Sequence, residues 1–375
     1  MPYLKTLTSF LLLGTCLLAP GCARTRAMNH VDRAALLEAV RQYGKNRQQG
    51  QAVSTTPAVE RTTQSPSGSD TEEAYKREIM SYFLDKNFAQ LDKAARDART
   101  EKERFPGGVW KLYTFYTGLS TPTLGDQATD ADWNYHIGVL KEWASARPDS
   151  AVARIALAET YISYSDKARG TGYANTVSET GWKLSAERTA EAASILVEAE
   201  RLTEKCPFWY EAMQQVALGQ GWERDQAREL FEQAIAFQPD YYHFYREYAY
   251  YLLPKWYGEP GDAQKFAEEI SNRVGGAEGK FLYFEIASQI TCQCDSPESE
   301  IETLSWPKIK EGYVALGQLY CYSNLKLNRF AHMAVEAGDK PAAAEAFAKI
   351  GDDWDHTVWR SNQRFEQGRK WAMGL

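Results

Sequence analysis

Two cysteines separated by a single residue are the first feature of the sequence that suggests chemistry. Cys292 and Cys294 form a CxC pair, which could bind a metal ion or act as a redox pair. No CxxC motif or histidine lies nearby, and the ligand spacing of zinc sites is absent. The five histidines are scattered singly, with neither an HExxH motif nor a pair at helical ligand spacing. We therefore assign no metal ligand and expect no cofactor.

Catalytic groups have no local signature either. The sequence contains no GxSxG motif, and Gly170 and Gly172 of RGTGY neither follow a predicted strand nor precede the GKS or GKT of a phosphate-binding loop. Paired carboxylates such as Glu268 and Glu269 lie in charged runs, and adjacent helical residues do not face each other, so a solvated surface explains them. No catalytic residue is assigned, although the two acids of a glycosidase could lie in a helical array without a local signature.

Aromatic residues, which make up 13% of the chain, are the remaining candidates for a binding site. In PDYYHFYREYAYYLLPKWYG, positions i, i+3, i+4, i+7 and i+11 from Tyr241 form a helical stripe that predicts a buried face. Other aromatic residues fall off this stripe. Two interpretations remain open: burial on both faces of the helices, or an aromatic groove that binds a partner. The residues assigned to this aromatic groove are Arg169, which would supply a charge, Trp209, Trp222, Tyr242 and Trp256.

The N-terminal sequence MPYLKTLTSFLLLGTCLLAPGCAR has the plan of a secretory signal peptide. One lysine precedes an apolar run, Leu7–Ala19, that is too short to remain in a membrane as a spanning helix. The next residues resemble a bacterial lipobox, in which signal peptidase II cleaves before a cysteine that becomes acylated. Here that cysteine is Cys22, although Leu is more usual than Ala19 and Pro20 is uncommon.

Two alternatives to acylation of Cys22 remain open. Cys16 is the weaker candidate because Thr15 is unfavourable at the cleavage position, and ordinary cleavage near the same place would leave Cys22 as a free thiol. The residue after Cys22 is Ala23 and not Asp, which matches the default sorting of bacterial lipoproteins to the outer membrane. Three acyl chains would anchor the protein far more firmly than one. We predict a lipoprotein signal peptide over residues 1–22 and a lipid-anchored, periplasm-facing location in the bacterial envelope.

The charge of the chain excludes two classes of partner. Removal of residues 1–22 takes away only Lys5, so the formal net charge changes from −7 to −8. An acidic chain without a Lys/Arg stripe lacks the charges that bind nucleic acid or anionic lipid surfaces. We expect no nucleic-acid partner, and membrane contact only through the lipid anchor.

Composition divides the remaining sequence into two parts. Residues 23–70 are rich in Gln, Ser, Thr, Pro and Gly, which predicts a flexible tether. Within it, VDRAALLEAVRQY has helical spacing and predicts a short transient helix, marginal on its own at that length. Residues 71–375 have a period of 3.6 in nearly every segment and short breaks between segments, which predicts an α-helical domain.

The segment QARELFEQAIAFQPD indicates a repeating unit within this domain. Ala227, Phe231, Ala234 and Pro239 have the spacing of the second helix of a tetratricopeptide repeat, where small residues admit the first helix and Pro begins the next unit. A partial copy lies in AGDKPAAAEAFAKI, and ASARPDSAVARIALAETY resembles a repeat junction. The sequence therefore predicts an all-α, tetratricopeptide-like helical-hairpin solenoid.

A broader resemblance covers about Glu72 to Trp359. The strings FPGGVWKLYTFYTGL, ARGTGYANTV, WYEAMQQVALGQGW, YAYYLLPKWYGEPGD and NRFAHMAVEAGDKPAAAEAFAKIGDDW resemble a bacterial domain-of-unknown-function family, number four thousand and thirty-four. Its members are helical and tetratricopeptide-like, so the resemblance implies a fold but neither an activity nor a catalytic residue.

The functional hypothesis follows from the anchor and the predicted solenoid. Solenoids expose long concave surfaces that suit extended partners, so we predict a scaffold that binds a protein or peptide. One alternative is an enzyme acting on cell-wall glycans or peptides. Another is an assembly factor for an envelope machine.

Overall fold

The computed structural model describes residues 33–45, 68–293 and 301–374. Over these ranges the protein is all-α and contains no β-strand, which confirms the all-α part of the predicted fold class. The α-helices, numbered along the chain, are α1 (Arg33–Lys45), α2 (Gly68–Leu84), α3 (Phe88–Glu101), α4 (Lys111–Leu119), α5 (Asp130–Ala146), α6 (Ala151–Arg169), α7 (Glu179–Glu200), α8 (Pro207–Gln220), α9 (Arg224–Phe237), α10 (His243–Tyr251), α11 (Asp262–Val274), α12 (Gly276–Gln293), α13 (Trp306–Tyr320), α14 (Asn324–Glu336), α15 (Lys340–Ile350), α16 (His356–Trp359) and α17 (Asn362–Met373).

Capping residues fix the ends of the helices that matter most below. The Ser150 hydroxyl accepts a hydrogen bond from the Ala153 N–H at 3.1 Å and begins α6, as an N-cap serine does. Gly170, at φ 73°, ends α6 in a backbone conformation that favours glycine. Pro207 occupies the first turn of α8, where its missing N–H removes no helical hydrogen bond.

The even-numbered helices form a continuous series. From α2 to α12, each even-numbered helix packs on the next one, and α14 packs on both α12 and α2, so that the series closes on itself. Most odd-numbered helices pack beside their neighbours in sequence, as α7 does between α6 and α8. Residues far apart in the sequence, on different even-numbered helices, are thereby brought together.

The loop between α3 and α4 joins the two ends of this series. The Gly107 N–H donates a hydrogen bond to the Tyr320 carbonyl at 3.3 Å and to the Cys321 carbonyl at 3.1 Å. A Cβ at Gly107 would lie 2.5 Å from the Ser323 hydroxyl oxygen, and its φ of 86° also favours glycine. The FPGG sequence therefore allows a close approach that a side chain would prevent.

The predicted tether is wrong over Arg33–Lys45, because α1 packs on the domain. Leu36, Val40 and Tyr43 are fully buried, and α1 contacts α7 and α9. The Tyr43 ring stacks on Trp209 at a centroid distance of 4.1 Å. The helix that is marginal in isolation is stabilised by tertiary packing of its apolar face. The domain also begins earlier than predicted, since α2 starts at Gly68; residues 1–32 and 46–67, with Cys22, lie outside the described residues.

The repeat signature corresponds to buried positions. Ala227, Phe231 and Ala234 on α9 are at most 4% exposed, and the Phe231 ring contacts Tyr245 and Phe266. Two C-terminal helices, α16 and α17, were not predicted. The Trp359 indole N–H donates a hydrogen bond to Asn328 on α14 at 2.9 Å and fixes α16 there.

Candidate functional site

The structure divides the residues assigned to the aromatic groove into two groups. Trp209, Trp222 and Tyr242 are at most 3% exposed, so they are core residues and cannot line an open groove. The Trp209 indole N–H donates to the Leu196 carbonyl at 2.8 Å, and the Tyr242 ring stacks on His243 at 4.2 Å. For these three residues, burial on both faces of the helices is the correct interpretation.

Arg169 and Trp256 are brought together at the surface. Both are half-buried, and the Arg169 guanidinium lies 4.8 Å from the centre of the Trp256 ring and 5.7 Å from that of Trp182. Arg169 also donates to the carbonyl of Gly170 at 3.1 Å, within the loop that ends α6. We call the rings of Trp182 and Trp256 the aromatic wall. This wall therefore already contacts one cation of the protein itself, the guanidinium of Arg169.

Carboxylates from three even-numbered helices converge beside this wall. We define the acidic cluster as Glu159 and Asp166 on α6, Glu211 on α8 and Glu247 on α10. Glu247 is the central member, because its charge raises the pKa of both Glu159 and Glu211, while Asp166 raises the pKa of Glu247 in turn. Glu159 and Asp166 are two turns apart on one helix, or about 10 Å along its axis.

Burial changes the acidity of every member of the acidic cluster. Desolvation, with help from Glu247 and Asp166, raises the pKa of Glu159 to about 8. Desolvation also raises the pKa of Glu247 to about 7 and that of Asp166 to about 6, although a nearby arginine opposes each shift. The pKa of Glu211 is well above its usual value for the same reason. At neutral pH the cluster therefore contains both protonated and ionised carboxyl groups.

The acidic cluster runs from the surface inward. Asp166 is exposed and Glu247 half-buried, whereas Glu159 and Glu211 are at most 5% exposed. Asp166 is reached by water, yet enough protein surrounds it for desolvation to raise its pKa.

No member of the acidic cluster forms an ion pair with a described residue. Glu159 accepts a hydrogen bond from Gln215 Nε2 at 3.3 Å, and Glu211 accepts one from the Tyr241 hydroxyl at 2.7 Å. Glu285, a buried carboxylate on α12, differs, because its Oε2 accepts from Arg246 at 2.9 Å and from Lys326 at 2.5 Å. The carboxylates of the acidic cluster are therefore available to pair with a cation from outside the protein.

Other residues considered for chemistry do not contribute. Glu268 pairs with Lys308 and Glu269 with Arg228 at the surface, in keeping with a solvated charged run. Cys292 is a half-buried free thiol, and Cys294 lies outside the described residues. Within the described ranges, no group of three or more His, Cys, Asp or Glu residues could hold a metal ion.

Sequence reasoning missed the acidic cluster because each member lies in an ordinary local context. Glu247 lies in the aromatic-rich segment YREYAYY, and Glu159 follows IALA, a run of small and apolar residues. The only available signal was that Glu159 and Glu211 each interrupt an otherwise apolar segment. Their proximity depends on the packing of α6, α8 and α10.

Comparison with known proteins adds no further assignment. No protein family, curated protein or solved structure matches this chain. In the part of the chain that the structure describes, no helix combines the length and apolar character needed to cross a membrane.

Proposed function

We propose that this protein is a lipid-anchored envelope scaffold that binds a cationic segment of a protein or peptide at the acidic cluster. The anchor part of the proposal rests on the sequence around Cys22. The series of even-numbered helices supports a helical-hairpin solenoid as the architecture. In stacked helical hairpins, the first helix of each hairpin packs on the first helix of the next, as alternate helices do here. The family resemblance over about Glu72 to Trp359 supports the same architecture.

The observation that carries the binding proposal is the convergence of four carboxylates, none of which forms an ion pair with a described residue. Burying like charges together costs free energy, and the raised pKa values of Glu159 and Glu247 reflect that cost. An incoming ammonium or guanidinium would offset it by pairing with Asp166 and Glu247, the accessible members. Trp256 would offer the face of an aromatic ring to the same cation, as it does to Arg169.

The test uses a labelled pentalysine peptide as probe, with pentaglutamate as the probe of opposite charge. Fluorescence anisotropy is measured with the protein and with the double variant Asp166→Asn/Glu247→Gln. Each charged hydrogen bond is worth about 1.5 to 3 kcal/mol, so we expect the double variant to bind pentalysine at least about tenfold more weakly. Pentaglutamate should not bind.

A matched control removes two carboxylates elsewhere. Asp149 and Glu191 are exposed and form no ion pair with a described residue, so Asp149→Asn/Glu191→Gln changes the net charge equally. This control variant should bind pentalysine like the parent protein. If it loses as much affinity as the site variant, binding reflects only the net negative charge and the proposal is wrong.

One observation favours an enzyme as the second candidate. A carboxylic acid that stays protonated near neutral pH is what a general acid for glycoside hydrolysis requires, and Glu159 has a pKa of about 8 beside the more acidic Asp166. Incubation with purified peptidoglycan, followed by detection of released reducing ends and peptides, tests it. Turnover that disappears in Glu159→Gln would replace the scaffold proposal with an enzymatic one.

A further inference from the structure

A cavity lined by arginine side chains lies between α12, α14 and the C-terminal helices. Its volume is about 360 Å³, within the range of small-molecule sites. Ser288 and Thr291 of α12 line one side and Arg329 of α14 another. Arg360, which follows α16, and Arg364 of α17 also line the cavity. We call this the arginine pocket.

The three guanidinium groups of the arginine pocket lack carboxylate partners among the described residues. The Nε of Arg329 is buried and has no hydrogen-bond partner in the described part of the chain. Glu285, whose charge reaches Arg329, already accepts hydrogen bonds from Arg246 and Lys326. Arg360 and Arg364 are exposed, and neither forms an ion pair within the described ranges. Within the described ranges, no carboxylate pairs with these three guanidinium groups, so their positive charge is not balanced there.

A buried hydroxyl gives an independent indication of a ligand. Ser288 is 1% exposed and lines the pocket, and its Oγ has no hydrogen-bond partner among the residues that the structure describes. An unsatisfied buried hydroxyl costs about 1 to 3 kcal/mol, so native proteins seldom retain one without a partner. A ligand acceptor in the cavity would satisfy both this hydroxyl and the Nε of Arg329.

The donors present indicate the class of ligand. Guanidinium groups match carboxylate and phosphate oxygens, but a carboxylate has only two oxygens for three arginines and a hydroxyl. A phosphate dianion offers more acceptor oxygens and more charge, and the volume leaves room for a small organic group attached to it. We propose that the arginine pocket binds a phosphate group, either free or as a small phosphomonoester.

Isothermal titration calorimetry at pH 7.5 and constant ionic strength tests the proposal with inorganic phosphate, glycerol 3-phosphate and acetate. Both phosphates should bind saturably and acetate should not. Tighter binding of glycerol 3-phosphate identifies an esterified ligand, and equal binding identifies free phosphate. Arg360→Gln/Arg364→Gln removes two exposed groups and should weaken phosphate binding by at least about tenfold. Absence of phosphate binding, or equal binding of acetate, would overturn the proposal.

Two further variants separate a ligand role from a structural role. Ser288→Ala removes an unsatisfied hydroxyl, so the melting temperature without phosphate should not fall, while the stabilisation produced by phosphate should decrease. Arg96→Gln/Arg201→Gln removes two exposed arginines elsewhere and should leave phosphate affinity unchanged. If this control weakens binding as strongly as Arg360→Gln/Arg364→Gln, the binding is nonspecific and the arginine pocket is not the site.

Discussion

Tyr43 gives the sharpest test of the fold, because the sequence predicts a flexible tether where the structure places a docked helix. The side chain is completely buried and stacks on Trp209 at 4.1 Å. Its hydroxyl donates to the Cys206 carbonyl at 3.2 Å and accepts from the Cys206 N–H at 2.6 Å. Removing this side chain should therefore empty a core site and break two hydrogen bonds.

The expected magnitude follows from these contacts. Truncation of a fully buried aromatic side chain costs about 3 to 5 kcal/mol, so Tyr43→Ala should lower the free energy of unfolding by that amount. Tyr43→Phe keeps the ring but leaves the buried Cys206 N–H without this acceptor, which costs about 1 to 3 kcal/mol. Tyr135 is 66% exposed, and Tyr135→Ala, the control, should change stability by less than about 0.5 kcal/mol.

The assay is urea unfolding followed by tryptophan fluorescence and by circular dichroism, with the midpoint and slope fitted for each variant. A second measurement compares the melting temperature of the mature protein with that of a chain beginning at Ser67, which lacks α1 but keeps the whole of α2. We expect a clear drop in the second chain. If Tyr43→Ala unfolds at the same urea concentration as Tyr135→Ala, and the shortened chain melts like the mature protein, α1 does not contribute to the folded domain and the reasoning is refuted.

Three further predictions concern the anchor, the acidic cluster and the buried aromatics. Cys22→Ala should abolish palmitate labelling and release the protein into the soluble periplasmic fraction; retained labelling would contradict acylation at this residue. The pKa of Glu159 is about 8, above its usual 4.5, so the folded state binds more protons, and stability should fall as the pH rises from about 4.5 through about 8. Thermal melts at pH 5 and 8 should show a smaller decrease for Glu159→Gln than for the parent protein, and equal decreases would show that Glu159 titrates normally. Trp222→Ala and Tyr242→Ala should each lower the free energy of unfolding, measured in urea, by about 3 to 5 kcal/mol, as Phe231→Ala should, because all three side chains are buried. A loss below about 1 kcal/mol would mean that Trp222 and Tyr242 line the aromatic groove after all.

Much of the helical structure could be predicted from the sequence, because helix signals are local. The N-cap at Ser150, the proline in the first turn of α8 and the apolar period of 3.6 act within a few residues of each other. The all-α class could therefore be predicted, although α16 and α17 were not. The same locality explains one failure: a helix as short as α1 is marginal alone, and its stability depends on Tyr43 reaching a cavity formed by residues more than 160 positions away.

The packing of the helices brings together polar residues that lie far apart in the sequence. Glu159, Glu211 and Glu247 each read as an isolated charge in its own helix, and Arg329 and Arg364 likewise, because sequence patterns report neighbours along one helix and not between helices. Their assembly into an acidic cluster and an arginine pocket depends on the packing of the even-numbered helices and the C-terminal helices. The burial of the aromatic residues depends on the same packing. Helices covered on two sides bury Trp209 and Tyr242, whereas Trp256 stays at the surface beside Arg169.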